Sequence, residues 1–138
     1  YSVMPWAVFT DPEIGRVGIT AAEAKQQGIP CEVTRYGIDD LDRAMADGED
    51  NGFVKVVTAK GSDKILGATV VGHHAGELIT EYVTAMKHGM GLRKILNTIH
   101  IYPTLAEANR YAAGEWQKAR ISPMALKVAA RFNQWRRG

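Results

Sequence analysis

The segment best suited to chemistry is His100-Ile101-Tyr102-Pro103-Thr104-Leu105-Ala106-Glu107. Because proline disfavours helical backbone at the residue before it, we expect an extended approach that aims the side chain of Tyr102 outward. Thr104 and Glu107 have the spacing of a helix capping box, which would fold the carboxylate of Glu107 back towards Tyr102. The pattern fits an acid–base group oriented by a carboxylate. An ordinary capped helix with a packed tyrosine is the alternative.

Other catalytic patterns are missing from the sequence. It contains no G-x-G-x-x-G or G-x-x-x-x-G-K-[ST] loop to cradle phosphates, no G-x-S-x-G elbow and no H-E-x-x-H. The single cysteine, Cys31, excludes an internal disulfide, a C-x-x-C redox pair and a cysteine-rich zinc site. The adjacent His73 and His74 cannot both face one ion from a regular strand or helix. We therefore predict no metal site.

The elements that position this segment follow from the spacing of apolar residues. Apolar or alternating runs predict five strands, over residues 6–9, 14–19, 31–38, 53–57 and 65–71. The first is a short apolar run and is expected to be buried. Residues 60–63 supply the turn of a hairpin between the last two strands. Thr20 and Glu23 have capping-box spacing and open a two-turn helix that stops at Gly28.

Helical periodicity dominates after Gly72. Leu78, Ile79, Tyr82, Val83 and Met86 recur at helical spacing, and the glycines that follow end this helix. A short helix is expected over residues 92–96, and a third from Thr104 to about Trp116. Strands that are followed by helices indicate an α+β fold with an antiparallel sheet and helices packed on one side.

Length and charge divide the chain into two parts. The 138 residues suffice for one domain, and 1–117 carry all 15 acidic residues against 11 Lys and Arg. Residues 118–138 carry the other six basic residues, so we expect a basic, helical tail that begins at Ser122-Pro123. The tail is expected either to pack on protein or to make weak contact with an anionic membrane surface. No nucleic-acid partner is expected, because the excess positive charge is confined to this tail.

The order of these segments resembles the C-terminal dimerisation domain of the pyridine-nucleotide disulfide oxidoreductases, a family that includes dihydrolipoamide dehydrogenase and mercuric reductase. The likeness covers residues 1–117. It includes 8–18, similar to the family's "(Y/F)T-x-PE-x-x-x-VG", the sequence Ala75-Gly76-Glu77, and the motif H-x-H-P-T-x-x-E over residues 100–107. Each piece alone is short, and their shared order is the stronger signal.

The resemblance implies a longer parent protein with FAD and NAD(P) domains upstream, in keeping with a chain that does not begin with Met. It implies a homodimer in which His100 and Pro103 lie near the partner's flavin and Glu107 orients residue 102. By itself the chain is then expected to bind no cofactor and to be inactive. A stand-alone interaction module of the same fold is the alternative. The low cysteine content fits a reducing cytoplasm.

The sequence departs from the family at Tyr102, where the family has histidine. An unperturbed histidine titrates near pH 6.5 and tyrosine near pH 10, so tyrosine mainly donates a hydrogen bond at neutral pH. We expect its hydroxyl to lie within reach of Glu107 or a bound substrate. Mercury reduction is not supported, because no cysteine follows Cys31. The apolar residues Tyr82, Met86, Met90 and Leu92 are expected to contribute to the dimer interface.

Overall fold

The computed structural model describes residues 3–121, which form a five-stranded antiparallel sheet with helices packed on it. The strands are β1 (Trp6–Val8), β2 (Ile14–Gly18), β3 (Cys31–Gly37), β4 (Phe53–Ala59) and β5 (Ile65–Val71). The helices are α1 (Ala21–Gln26), α2 (Asp42–Asp47), α3 (Ala75–Lys87), α4 (Leu92–Asn97) and α5 (Glu107–Arg120), with a 3₁₀ turn over Ile38–Asp40. The predicted α+β class and the β4–β5 hairpin are confirmed.

The sheet order is β1-β2-β5-β4-β3, so the hairpin forms its centre. Val54 pairs with Val70 and Val56 with Ala68, and all four side chains are buried. Helix α3 begins directly over β2, where a Cβ on Gly15 would lie 2.5 Å from the carbonyl oxygen of Ala75. Glycine is therefore required for this close approach of helix and strand.

The core fills the space between the sheet and the long helices α3 and α5. Tyr82 and Leu92 are fully buried within it, and Trp116 on α5 is the largest of the fully buried side chains. Both Tyr82 and Leu92 therefore pack inside the domain, and assigning them to a dimer interface was wrong. Their helical spacing identified a buried face, but spacing alone does not distinguish a core from an interface.

The first predicted strand is present, but its predicted burial is wrong. β1 pairs only with β2 at the edge of the sheet, and Phe9, just beyond it, is 81% exposed. Trp6 and Val8 are also exposed. An apolar run indicates a strand, whereas its burial depends on whether another element covers the edge.

The helix starts differ in how closely they follow their predictions. The capping box at Thr20 and Glu23 is complete, which confirms α1. α5 begins at Glu107 instead of near Thr104 and continues to Arg120. Within residues 3–121 no helix is long and apolar enough to cross a membrane. The predicted helix in the tail lies outside the described residues, and the division at residue 117 stays a prediction.

Candidate functional site

The segment between α4 and α5, residues 98–106, projects apolar side chains into solvent. Ile99 is 95% exposed, Ile101 78% and Tyr102 65%. Residues 102 and 103 form a bend in place of the expected extended approach, and the Tyr102–Pro103 peptide is cis. The outward aim predicted for Tyr102 is found. Isolated exposed apolar residues are common on proteins, but three within four positions form a patch.

The hydroxyl of Tyr102 donates a hydrogen bond to Oδ2 of Asp42 on α2, at 2.8 Å. The hydroxyl was expected to reach Glu107 or a bound substrate; within the described residues its acceptor is Asp42, and a contact with a substrate stays a prediction. This hydrogen bond, reinforced by the negative charge of Asp42, raises the pKa of Tyr102 above its ordinary value. Tyr102 is thus a neutral phenol at neutral pH, and its hydroxyl already donates its hydrogen bond within the domain.

Glu107 is buried and holds the start of α5. Its Oε2 accepts from the backbone N–H of Thr104 at 3.1 Å, and its Oε1 accepts from the hydroxyl of Tyr111 at 3.4 Å. The hydroxyl of Thr104 donates instead to the carbonyl of Ile101 at 2.6 Å. Glu107 thus acts on the backbone of the segment and on its own helix, and it makes no hydrogen bond to Tyr102.

A groove of about 490 Å³ lies beside Tyr102, between α2, β3 and α5. Its aromatic wall contains Tyr36 and Tyr111, whose ring centroids are 5.6 Å apart. The hydroxyl of Tyr36 donates to Asp40 at 2.6 Å, and burial together with this bond raises the pKa of Tyr36 far above its ordinary value. Each of the three tyrosines therefore donates to a different carboxylate.

Sequence reasoning did not single out Asp42, Tyr36 and Tyr111. The acidic residues 39–51 were a usable signal for the carboxylates, and the i, i+4 spacing of Glu107 and Tyr111 was one for their contact. No local signal connects Asp42 with Tyr102, because 60 positions separate them. Only the fold brings the two side chains together.

The groove does not fit a dinucleotide. Four carboxylates line it, those of Asp40, Asp42, Glu107 and Glu115. Of its two basic side chains, Lys118 pairs with Glu115 at 2.6 Å and Arg110 donates to the carbonyl of Leu96. A pyrophosphate would therefore meet net negative charge.

His100 is nearly buried, with 7% of its side chain exposed. Its Nδ1 lies 3.0 Å from the carbonyl oxygen of Thr98, and its Nε2 lies 2.9 Å from Oε1 of Glu81 on α3. Pro103 is exposed beside Tyr102. Proximity of His100 and Pro103 to a partner's flavin stays a prediction.

Comparison with known proteins identifies the family. Residues 4–113 match the family model described as pyridine nucleotide-disulphide oxidoreductase, dimerisation domain. The chain belongs to this family. It is 43% identical to the dihydrolipoyl dehydrogenase of Chlamydia muridarum over 107 residues, which is 78% of this chain and 23% of that protein. It is 44% identical to the dihydrolipoyl dehydrogenase of Halobacterium salinarum over 113 residues, 82% of this chain and 24% of that protein.

Solved structures share the fold. The LpdA protein of Mycobacterium tuberculosis superimposes with a TM-score of 0.77 at 24% identity, covering 83% of this chain and 25% of that one. The HOCl-induced flavoprotein disulfide reductase RclA of Escherichia coli gives 0.76 at 22% identity, covering 80% and 26%. The chain thus spans about a quarter of the length of its relatives.

Proposed function

We propose that this chain is the dimerisation domain of a longer, cytoplasmic oxidoreductase that uses FAD and NAD(P), and that it pairs with a second copy of itself. The exposed patch formed by Ile99, Ile101 and Tyr102 carries the proposal. Apolar groups concentrated on an ordered segment favour association, because pairing removes them from water. The chain covers only about a quarter of the length of its relatives. This supports FAD and NAD(P) domains elsewhere in the parent protein.

Within that dimer, we propose that Tyr102 faces the partner's redox site as a neutral hydrogen-bonding group. Its proton is committed to Asp42, so its remaining capacity is to accept a hydrogen bond through the phenol oxygen. A proton acceptor that works at neutral pH needs a pKa near 7, and the pKa of Tyr102 is shifted in the opposite direction. Tyr102 therefore shapes the redox site and orients a group bound there. It does not take the thiol proton as the family histidine would.

Dimerisation is tested by sedimentation of the chain at tens of micromolar. We expect a dimer, and a monomer when Ile99 and Ile101 are both replaced by Asp. Val8→Asp is the matched control, because Val8 is also exposed but lies on β1, at the sheet edge opposite β3, which lines the groove beside Tyr102. A chain that is monomeric throughout, or a dimer indifferent to the double substitution, would contradict the proposed interface.

The role of Tyr102 is tested by steady-state kinetics of the full-length protein. Tyr102→Phe should lose far less than the roughly hundredfold that follows removal of a donor to developing charge. Tyr102→His should raise disulfide reductase activity if the parent holds a redox cysteine pair. A hundredfold loss in Tyr102→Phe would show that the hydroxyl donates to the reacting group, against this proposal.

A further inference from the structure

Both ring nitrogens of His100 have hydrogen-bond partners within the chain. A carbonyl oxygen can only accept, so Nδ1, 3.0 Å from Thr98, carries a proton. Nε2 lies 2.9 Å from Glu81, whose other oxygen accepts from Nδ2 of Asn109 at 2.9 Å, as expected for an ionised carboxylate. Both ring nitrogens thus lie within hydrogen-bonding distance of an oxygen atom, and a hydrogen bond to a carboxylate is stronger than one between neutral groups.

Asn109 extends this contact to a third element. The residue is buried on the first turns of α5, and its amide nitrogen donates both to Glu81 and to the backbone carbonyl of Leu78, at 3.0 Å. Glu81 therefore joins α3, the segment 98–106 and α5 through His100 and Asn109. The three elements are held together by hydrogen bonds to Glu81 and from the amide nitrogen of Asn109, whereas the buried amide oxygen of Asn109 has no hydrogen-bond partner among residues 3–121.

The neighbours of His100 make this anchoring functionally relevant. Ile99 and Ile101, on either side of it, are the two most exposed residues of the patch, and Tyr102 follows. The side chains of Ile99 and Ile101 point into solvent, whereas the His100 side chain between them points into the domain. The imidazole itself is enclosed, and both of its nitrogens are already bonded within the chain. It has no free polar atom to offer a flavin.

We propose that His100 is a positioning residue, not a cofactor contact: together with Glu81 and Asn109 it holds residues 98–106 in the conformation that presents Ile99, Ile101 and Tyr102 to the partner. The presentation to a partner rests on the proposed dimer, whereas the anchoring is a property of the single chain. Loss of the anchor should free the segment while the sheet and α3 remain folded.

The test measures backbone ¹⁵N order parameters of residues 99–102 by NMR at neutral pH. Rigid backbone has values of about 0.85 and flexible backbone below about 0.6. We expect Glu81→Ala to move these residues from the rigid to the flexible range. Glu81→Gln should keep them rigid, because its amide can accept from Asn109 and donate to a neutral imidazole at His100. Glu77→Ala removes an exposed carboxylate four residues earlier on α3 and should change nothing.

A second readout follows the consequence for the partner. A flexible segment must be ordered when the dimer forms, so the dissociation constant of Glu81→Ala should rise roughly tenfold or more, and that of Glu81→Gln much less. A structural role alone would lower the melting temperature of Glu81→Ala and leave residues 99–102 rigid, which would overturn the proposal. A chain that never dimerises would overturn the proposed function, while the order parameters would still decide the anchoring. His100→Gln serves as the second variant if Glu81→Ala does not fold.

Discussion

Two segments of this chain share the pattern T-x-x-E and fold differently. At Thr20–Glu23 the box is reciprocal: the Glu23 N–H donates to the threonine hydroxyl at 3.1 Å, and the Glu23 carboxylate accepts from the Thr20 N–H at 2.6 Å. At Thr104–Glu107 only the carboxylate half forms. The hydroxyl of Thr104 donates backwards to Ile101 instead of capping the helix.

The backbone before each helix explains the difference. Thr20 has the extended conformation typical of an N-cap, with ψ of 166°. Before α5 the chain already turns tightly, and the N–H of Ala108 bonds to the carbonyl of Leu105 at 3.1 Å, so α5 begins only at Glu107. The same four-residue pattern thus caps a helix in one place and anchors an exposed loop in the other.

The largest effect is expected from Glu107→Ala, which should reduce the free energy of unfolding by about 2 kcal/mol. The substitution truncates the buried side chain of Glu107 and removes the acceptor of two part-buried hydrogen bonds, from the Thr104 N–H and the Tyr111 hydroxyl. Glu107→Gln keeps an acceptor oxygen and should lose less than about 1 kcal/mol. Urea denaturation measures both variants. Equal losses would mean that the charge of Glu107 matters and its hydrogen bonds do not.

The next largest effect is a difference in stability loss between alanine substitutions at Thr20 and at Thr104. Thr20→Ala removes a capping hydroxyl and should lose about 1 kcal/mol, while Thr104→Ala removes an exposed bond to Ile101 and should lose about 0.5 kcal/mol or less. Thr→Ser at each position retains the hydroxyl and is the control. If denaturation curves show that Thr104→Ala loses as much free energy of unfolding as Thr20→Ala, or more, the distinction between the two capping boxes is contradicted.

The smallest effect is a pH dependence at Glu23. The backbone hydrogen bond from Thr20, followed by that from its hydroxyl, lowers the pKa of Glu23 below its ordinary value of 4.5. A carboxyl whose pKa is lowered by folding stabilises the native state above its unfolded pKa, and this contribution is lost as the pH falls through the folded pKa. Stability should therefore fall less steeply below pH 4.5 in Glu23→Gln than in the original chain.

Thermal melts across this acid range measure the slope of stability against pH for each variant. Glu77→Gln is the control, because the side chain of Glu77 is 83% exposed. It should leave the slope close to that of the original chain. Parallel slopes for Glu23→Gln and Glu77→Gln would contradict the assigned effect of the capping box.

Local spacing was enough to predict much of the fold. The β4–β5 hairpin, the box that begins α1 and the apolar face of α3 depend on contacts within a few residues or on a repeating pattern, and all three are confirmed. The motif at residues 100–107 also located the candidate site. Such features can be read from sequence because the interacting groups keep a constant separation along the chain.

The partners of the site residues were decided by the tertiary structure. Tyr102 bonds to Asp42, 60 positions away, and His100 to Glu81, 19 positions away, because the topology places α2 and α3 beside the segment. Burial was decided in the same way: β1 is exposed because it lies at the sheet edge. Residue types and spacing therefore determined the elements and the segment suited to chemistry. Only the packing of those elements determined which carboxylate accepts the hydrogen bond from Tyr102, since that depends on distances that no local pattern encodes.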